Sequence, residues 1–140
     1  MPDDRLRAHK TNTVPGEVLI ARVFANADIF PGDPRAQWLT DPDERERIAG
    51  YLGAGAPILM TTMLLADRLD PARGRAVGAS YRTDGTWVWN DALTYYVRMH
   101  GLAPEDEFRD HIAGRAYACP APDEAARDQA LAALYAWFAE

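Results

Sequence analysis

The sequence predicts an α+β fold, in which a small antiparallel sheet with a central hairpin is covered on one face by about four helices. An Asp-Gly pair at residues 84–85 separates two short strand-like runs, which is a strong hairpin signal. Apolar residues recur at helical spacing in several segments of the second half. Strands therefore come largely before helices, which favours antiparallel pairing over alternating strand–helix units. At 140 residues, the chain is long enough to bury a core without disulfides or metals.

The first forty residues predict an arm, a strand and a loop. Residues 1–15 are largely polar, and we expect them to form a mobile arm in front of a single globular domain over residues 16–140. The run 17–24 is rich in β-branched residues and predicts a strand. Residues 26–40 contain two prolines and a glycine, which is typical of a loop.

The next segment predicts a helix followed by a buried strand. Asp41 is a suitable N-cap, Pro42 suits the first helical position, and Gly53 lies where the apolar stripe ends. A proline follows soon after, so the apolar residues 58–62 predict a buried strand. For residues 63–70 we expect a loop with one helical turn, with an extension of the strand as the alternative.

The hairpin is the clearest element of the sequence. Its strands are predicted over Ala76–Arg82 and Thr86–Trp89, on either side of the Asp-Gly turn. Side chains alternate along a strand, so Trp87 and Trp89 are expected on one face and Val88 on the other.

Three helices are predicted after the hairpin. The first begins with Asn90 as its N-cap and ends at Gly101, where a left-handed residue is common. The second is expected to begin at Pro104 and to end at Gly114, and the third to cover Asp123–Ala139. Acidic residues occupy the first turn of each, where the helix dipole favours anions.

Composition and charge exclude several classes of protein. The chain has 15 Lys and Arg against 21 Asp and Glu, a formal charge of −6, so a module with a basic face for duplex nucleic acid is not expected. A single cysteine excludes an intramolecular disulfide framework. The longest apolar stretch, residues 54–66, is too short and too interrupted to span a bilayer. We therefore expect a cytoplasmic protein without membrane or direct nucleic-acid contacts.

The sequence contains no recognisable catalytic or metal-binding motif. His100 and His111 lack the spacing of a zinc site, so we expect no metal and no cofactor. Ser80 is the only serine and lies within a predicted strand, and no motif places Cys119 beside a histidine. No carboxylate is marked as buried, which pKa tuning would require. The balance is against an enzyme.

An aromatic cluster in the hairpin and the following helix is the main candidate binding site. One interpretation is structural, because aromatic side chains dominate core burial and would pack the hairpin against this helix. The other is functional, because tryptophan, tyrosine and arginine are enriched in binding sites. The candidate binding residues are Arg82, Asp84, Trp87, Trp89, Tyr95, Tyr96 and His100.

Residues 68–108 carry three short motifs that resemble a known pattern. These are Asp-Pro-Ala-Arg-Gly at 70–74, Thr-Asp-Gly-Thr-Trp-Val-Trp at 83–89, and a helix from Tyr95-Tyr96 to His100-Gly101. Together they resemble a group of small actinobacterial proteins of unassigned activity, whose general form is similar to that of the immunity partners of polymorphic toxins. The resemblance implies a non-catalytic inhibitor and carries over no catalytic residue.

We therefore weigh three hypotheses of different classes. The first is an immunity-like protein that binds and inhibits a cognate toxin domain, with acidic helix starts facing the partner. The second is a small-molecule-binding protein or small enzyme that uses an aromatic pocket around the hairpin and the following helix. The third is a homodimer formed through the hairpin or the last helix. The partner-facing acidic residues of the first hypothesis are Asp43, Glu44, Glu46, Glu105, Asp106 and Glu107.

Overall fold

A four-stranded mixed sheet and a separate two-stranded ribbon carry the helices of this α+β protein. The computed structural model describes residues 17–23 and 37–140. The predicted arm, most of the predicted loop and Phe24 lie outside these residues. The strands are β1 (Leu19–Ile20), β2 (Ala56–Leu59), β3 (Leu64–Ala66), β4 (Arg75–Gly78), β5 (Tyr81–Thr83) and β6 (Trp87–Asn90), and the helices are α1 (Pro42–Gly53), α2 (Asp91–His100), α3 (Asp106–Gly114) and α4 (Glu124–Phe138).

The predicted hairpin forms the centre of the main sheet. The strand order is β1-β6-β5-β2, and β5 pairs antiparallel with both β6 and β2. The expectation of a purely antiparallel sheet is wrong at one edge, because β1 runs parallel to β6. There the backbone N–H groups of Leu19 and Ala21 donate to the carbonyl oxygens of Thr86 and Val88, at 2.9 and 2.8 Å.

The hairpin turn is held by side chains as well as by backbone conformation. Gly85 has a φ of +100°, which glycine adopts without strain. The hydroxyl of Thr83 donates to the carbonyl of Trp87 at 2.7 Å and accepts from the N–H of Gly85 at 2.9 Å. These bonds fix the turn at the position that the Asp-Gly pair predicted.

The ribbon of β3 and β4 corrects two predictions, one of a strand and one of a loop. The predicted strand over residues 76–82 is two strands in different sheets, because the chain changes direction at Ser80. The Ser80 hydroxyl accepts from the Thr61 N–H at 2.9 Å and donates to the Thr61 carbonyl at 3.1 Å. Residues 63–70 were expected to form a loop with a helical turn, but Leu64–Ala66 form β3, antiparallel to β4. Backbone pairing with β4 decides this conformation.

The sheet is covered on both faces, not on one face as expected. Trp87 and Trp89 pack on one face against α1, α2 and α3. Val88 points to the other face, where it packs against Ala130 and Leu134 of α4. The alternation predicted along this strand is therefore confirmed, and it separates two hydrophobic clusters.

The helix starts follow the predicted capping residues closely. Asp41, Asn90 and Asp123 each accept a backbone hydrogen bond at the start of α1, α2 and α4. Helix α2 ends at Gly101, whose φ is +77°. Helix α3 begins two residues later than expected, and its N-cap Glu105 makes no capping bond.

The indole of Trp89 fills the space between the sheet and the end of α1. Its ring is fully buried, and Nε1 donates to the carbonyl of Leu52 at 3.0 Å. A β-carbon on Gly55 would overlap this ring, whereas one on Gly50 would meet no atom within 4 Å. Glycine at position 55 is therefore required by close packing.

We expect Gly55→Ala to lower the free energy of unfolding by about 1–3 kcal/mol, because the indole or the backbone must shift. Gly50→Ala is the matched control, since it adds the same methyl group to open space and removes a helical glycine. It should be neutral or stabilising by up to about 1 kcal/mol. Urea unfolding of both variants measures the difference, and equal stabilities would contradict this account of Gly55.

Candidate binding sites

A buried carboxylate, Asp84, organises the hairpin turn. Its Oδ2 accepts hydrogen bonds from the Tyr51 hydroxyl at 2.5 Å and from Nε2 of His111 at 2.8 Å. Its Oδ1 accepts from the backbone N–H groups of Thr86 and Trp87, at 2.9 and 2.8 Å. Burial alone would raise the pKa of Asp84, but these bonds to the charged form outweigh it and lower the pKa to about 2.

A second buried carboxylate, Asp67, has partners of the same kinds: a tyrosine, a histidine and two backbone N–H groups. Its Oδ2 lies 2.7 Å from the Tyr95 hydroxyl and 2.7 Å from Nε2 of His100. Its Oδ1 accepts from the N–H groups of Leu69 and Asp70, at 2.8 and 2.9 Å. Burial again raises its pKa, and the hydrogen bonds lower it to about 2.

Neither carboxylate was expected to be buried from the sequence. A partial signal was present in both cases, because an aspartate at a turn often accepts bonds from the N–H groups that follow it. The histidine and tyrosine partners come from positions 27 to 33 residues away, so no local pattern predicts them.

The two clusters lack a nucleophile poised for catalysis. Burial raises the pKa of the Cys119 thiol to about 11, which keeps the thiol protonated near neutral pH. The Ser80 hydroxyl is bonded to the backbone of Thr61. Within the described residues, no group of three or more His, Cys, Asp or Glu side chains could hold a metal ion. The geometry is that of carboxylates that hold the fold together.

The structure distributes the predicted binding residues among different environments. Trp87, Trp89 and Tyr96 are buried, and the Tyr96 hydroxyl accepts from the N–H of Arg68 at 2.8 Å. Asp84 and His100 belong to the two carboxylate clusters. Arg82 and Tyr95 border one cavity, whereas Tyr96 borders a different hollow, so the aromatic residues do not line one common pocket.

That cavity has a volume of about 350 Å³ and lies between the end of α1, the end of β4, the hairpin and α2. It contains two arginines, and we call it the arginine cavity. Arg82 is fixed by an ion pair between its Nε and Oδ1 of Asp91 at 2.8 Å. The cavity is lined by Gly53, Gly78, Arg82, Asp91, Thr94 and Arg98, together with Tyr95 and Met99.

Two of the predicted partner-facing acidic residues form ion pairs at the start of α1. The carboxylate of Glu44 accepts two hydrogen bonds from the guanidinium of Arg109, both at 2.8 Å, which joins α1 to α3. Asp43 pairs with Arg47 one turn along the same helix at 2.9 Å. The charge of these carboxylates is therefore partly compensated within the molecule.

The other four acidic residues differ in exposure. Glu105 accepts from the N–H of Arg22 at 2.8 Å, and burial raises its pKa despite that bond. One carboxylate oxygen of Glu107 is buried without a hydrogen-bond partner among the described residues. Glu46 and Asp106 are exposed and can meet a partner without rearrangement.

The most exposed apolar side chains lie on the ribbon, on the residues just before β3 and on the last turns of α4. Leu65 and Trp137 are 44% and 43% exposed, and they line the same open groove of about 400 Å³. A second hollow of about 310 Å³ adjoins it and shares Leu65. We call the larger one the apolar groove, defined by Ala21, Val23, Leu65, Tyr81, Ala92 and Trp137.

Further exposed apolar side chains lie next to Leu65 and Trp137 in the sequence. Met60, Met63 and Leu64 are exposed beside Leu65, and Tyr135 and Phe138 are exposed beside Trp137. A surface on the last helix was among those expected to meet a second copy of the chain. The ribbon side was not, because residues 58–66 were interpreted largely as buried or as a loop. No helix among the described residues has the length and apolar character that crossing a bilayer would need.

We expect Asp84→Asn to lower the free energy of unfolding at neutral pH by about 3 kcal/mol, because it removes a buried charged acceptor. The pKa of Asp84 is lowered from 3.8 to about 2 in the folded protein. Its stabilisation is therefore complete above pH 4 or so and is lost as pH falls through about 2.

Urea unfolding across this acidic range measures the effect. The variant should show a shallower fall in stability than the wild type between these pH values, with the remaining fall coming largely from Asp67. The exposed Asp43→Asn is the control and should change stability by less than about 1 kcal/mol. An unchanged acid profile in Asp84→Asn would contradict the role given to this carboxylate.

No family model, curated protein or solved structure matches the chain. The resemblance of residues 68–108 to small actinobacterial proteins therefore stays a prediction, and so does the immunity-like function that it implies.

Proposed function

We propose that this is a non-catalytic binding protein that holds a partner protein on the apolar groove. The observation that carries the proposal is the exposure of large apolar side chains on two elements, the ribbon and α4, that face one groove. Contiguous exposed apolar surface of this kind is typical of interaction sites. Aromatic residues such as Trp137 are also enriched among the anchors of interfaces.

The surroundings of the groove define the chemistry of the occupant. Arg22 and Arg68 are the charged residues that line it, although the chain as a whole carries a formal charge of −6. The apolar lining of the groove favours a partner segment that is apolar in its centre. Among the described strands, β3 pairs with β4 alone, so its outer edge offers backbone groups to an extended segment.

The finer form of the proposal is inhibition of a toxin domain, as the resemblance implies. The two carboxylate clusters support a non-catalytic role, because the hydrogen bonds of Asp67 and Asp84 connect elements of the fold. Glu46 and Asp106 remain candidates for contacts with a basic surface of the partner, and their exposure supports this. Glu44 is the weakest of the predicted acidic contacts, since Arg109 already binds its carboxylate.

Replacing two groove residues tests the docking site. We expect Leu65→Gln combined with Trp137→Gln to weaken partner binding at least about tenfold, because both side chains would leave the apolar interface. Met99→Gln is the matched control, since Met99 is also exposed and apolar but lies outside the groove. Each protein is purified gently from its own host and examined by native mass spectrometry, and affinity is then measured with the recombinant partner.

The expected result is a stoichiometric polypeptide that stays with the wild type and with Met99→Gln and is lost from the double variant. Retention by all three proteins would overturn the groove as the docking site. A dimer of the chain that the double variant abolishes would show that a second copy is the occupant. A bare monomer in every case would contradict the proposal.

The inhibitor function has a separate test. Expression of the recovered partner in a neutral host should stop growth, and co-expression of the wild type should restore it. The double variant should fail to protect, whereas Met99→Gln should protect fully. A partner that is harmless when expressed alone would reject the toxin-inhibitor form and leave the docking site in place.

A further inference from the structure

We propose that the arginine cavity binds a small oxyanion, a carboxylate or phosphate group of a small molecule, through Arg82, Thr94 and Arg98. The cavity shares no lining residue with the apolar groove. This inference is therefore independent of the proposed protein-binding function, and either one can fail alone.

One face of α2 supplies most of the polar lining. Asp91, Thr94 and Arg98 are spaced by three and four residues, so they lie on the same side of the helix. Gly53 and Gly78 border the cavity and contribute no side chain, and a β-carbon on Gly53 would meet no atom within 4 Å. Because these two positions are glycine, neither places a side chain in the space of about 350 Å³.

The charge of the lining is positive. Asp91 is already paired with Arg82 at 2.8 Å, and the Nη1 of Arg82 also donates to the carbonyl of Gly55 at 3.1 Å. A guanidinium has five N–H donors, so Arg82 is held in place with donors still available. Arg98 forms no ion pair within the part of the chain that the structure describes. One uncompensated positive charge therefore borders the cavity.

Thr94 supplies a second, independent observation. The residue is only 9% exposed, and its hydroxyl is buried without a hydrogen-bond partner among the described residues. Buried polar groups in native proteins are nearly always bonded, so an unbonded hydroxyl at a cavity indicates a missing acceptor. An oxyanion accepts from hydroxyl and guanidinium groups alike, and it satisfies both requirements.

The proposal is tested by two-dimensional NMR of the isotope-labelled full chain, titrated with inorganic phosphate and, separately, with acetate. We expect saturable shifts of the Arg82 Nε–H signal and of the amides of Thr94 and Arg98. Saturation by phosphate alone would define a phosphate group as the ligand, and saturation by acetate alone would define a carboxylate.

Three variants test the residues proposed to form the anion site. Arg98→Gln should weaken binding at least about tenfold, whereas Arg75→Gln, an exposed arginine outside the cavity, should not. Thr94→Val keeps the shape of the side chain and should weaken binding without loss of stability, because it removes an unbonded hydroxyl. Gly53→Met should fill the cavity and abolish binding, whereas Gly50→Met on the same helix should leave it intact.

Several results would overturn the proposal. Shifts that rise without saturation for both anions would show general ion association only. Equal losses in Arg98→Gln and Arg75→Gln would show that net charge, not the cavity, attracts the anion. Unchanged binding in both Thr94→Val and Gly53→Met, with both variants shown to be folded by urea unfolding, would place the anion elsewhere.

Discussion

The buried carboxylate of Asp84 is the interaction on which the rest of the structure depends. It connects three elements that are distant in sequence, because Tyr51 comes from α1, His111 from α3 and the two N–H donors from the hairpin turn. A buried carboxylate is tolerated only when its oxygens are fully bonded, so the three elements have to meet in one arrangement. The tryptophans of β6 then pack between helices whose positions are already defined.

Asp67 does the same for α2. Through His100 and Tyr95 it holds the segment that follows β3 against this helix, and Arg68 in that segment lines the apolar groove. The position of the groove therefore depends in part on the Asp67 cluster.

Local sequence signals predicted what local chemistry decides. The caps Asp41, Asn90 and Asp123 and the turn at Gly85 depend on neighbouring backbone groups, and all of them form where expected. The other features of the fold depend on contacts between residues that are distant in sequence. The parallel pairing of β1, the ribbon of β3 and the second covered face of the sheet depend on segments that meet only in the folded chain.

The candidate sites show the same division. Arg82 borders the arginine cavity, but the sequence did not single out its neighbours Thr94 and Arg98, because the cavity lies between elements that meet only in the folded chain. The aromatic cluster was the most visible feature of the sequence, and most of it is buried. Aromatic content alone does not separate a core from a binding surface, because both functions use large apolar rings.

The covering of the sheet on both faces has a thermodynamic consequence for α4. This helix is anchored to the sheet mainly through Ala130 and Leu134, while its final aromatic residues are exposed. The apolar groove has one wall on α4 and the other on the ribbon, so a molecule bound there bridges two elements. A partner that binds only the assembled groove would shift the equilibrium of local opening and would hold α4 to the sheet more firmly than in the free protein.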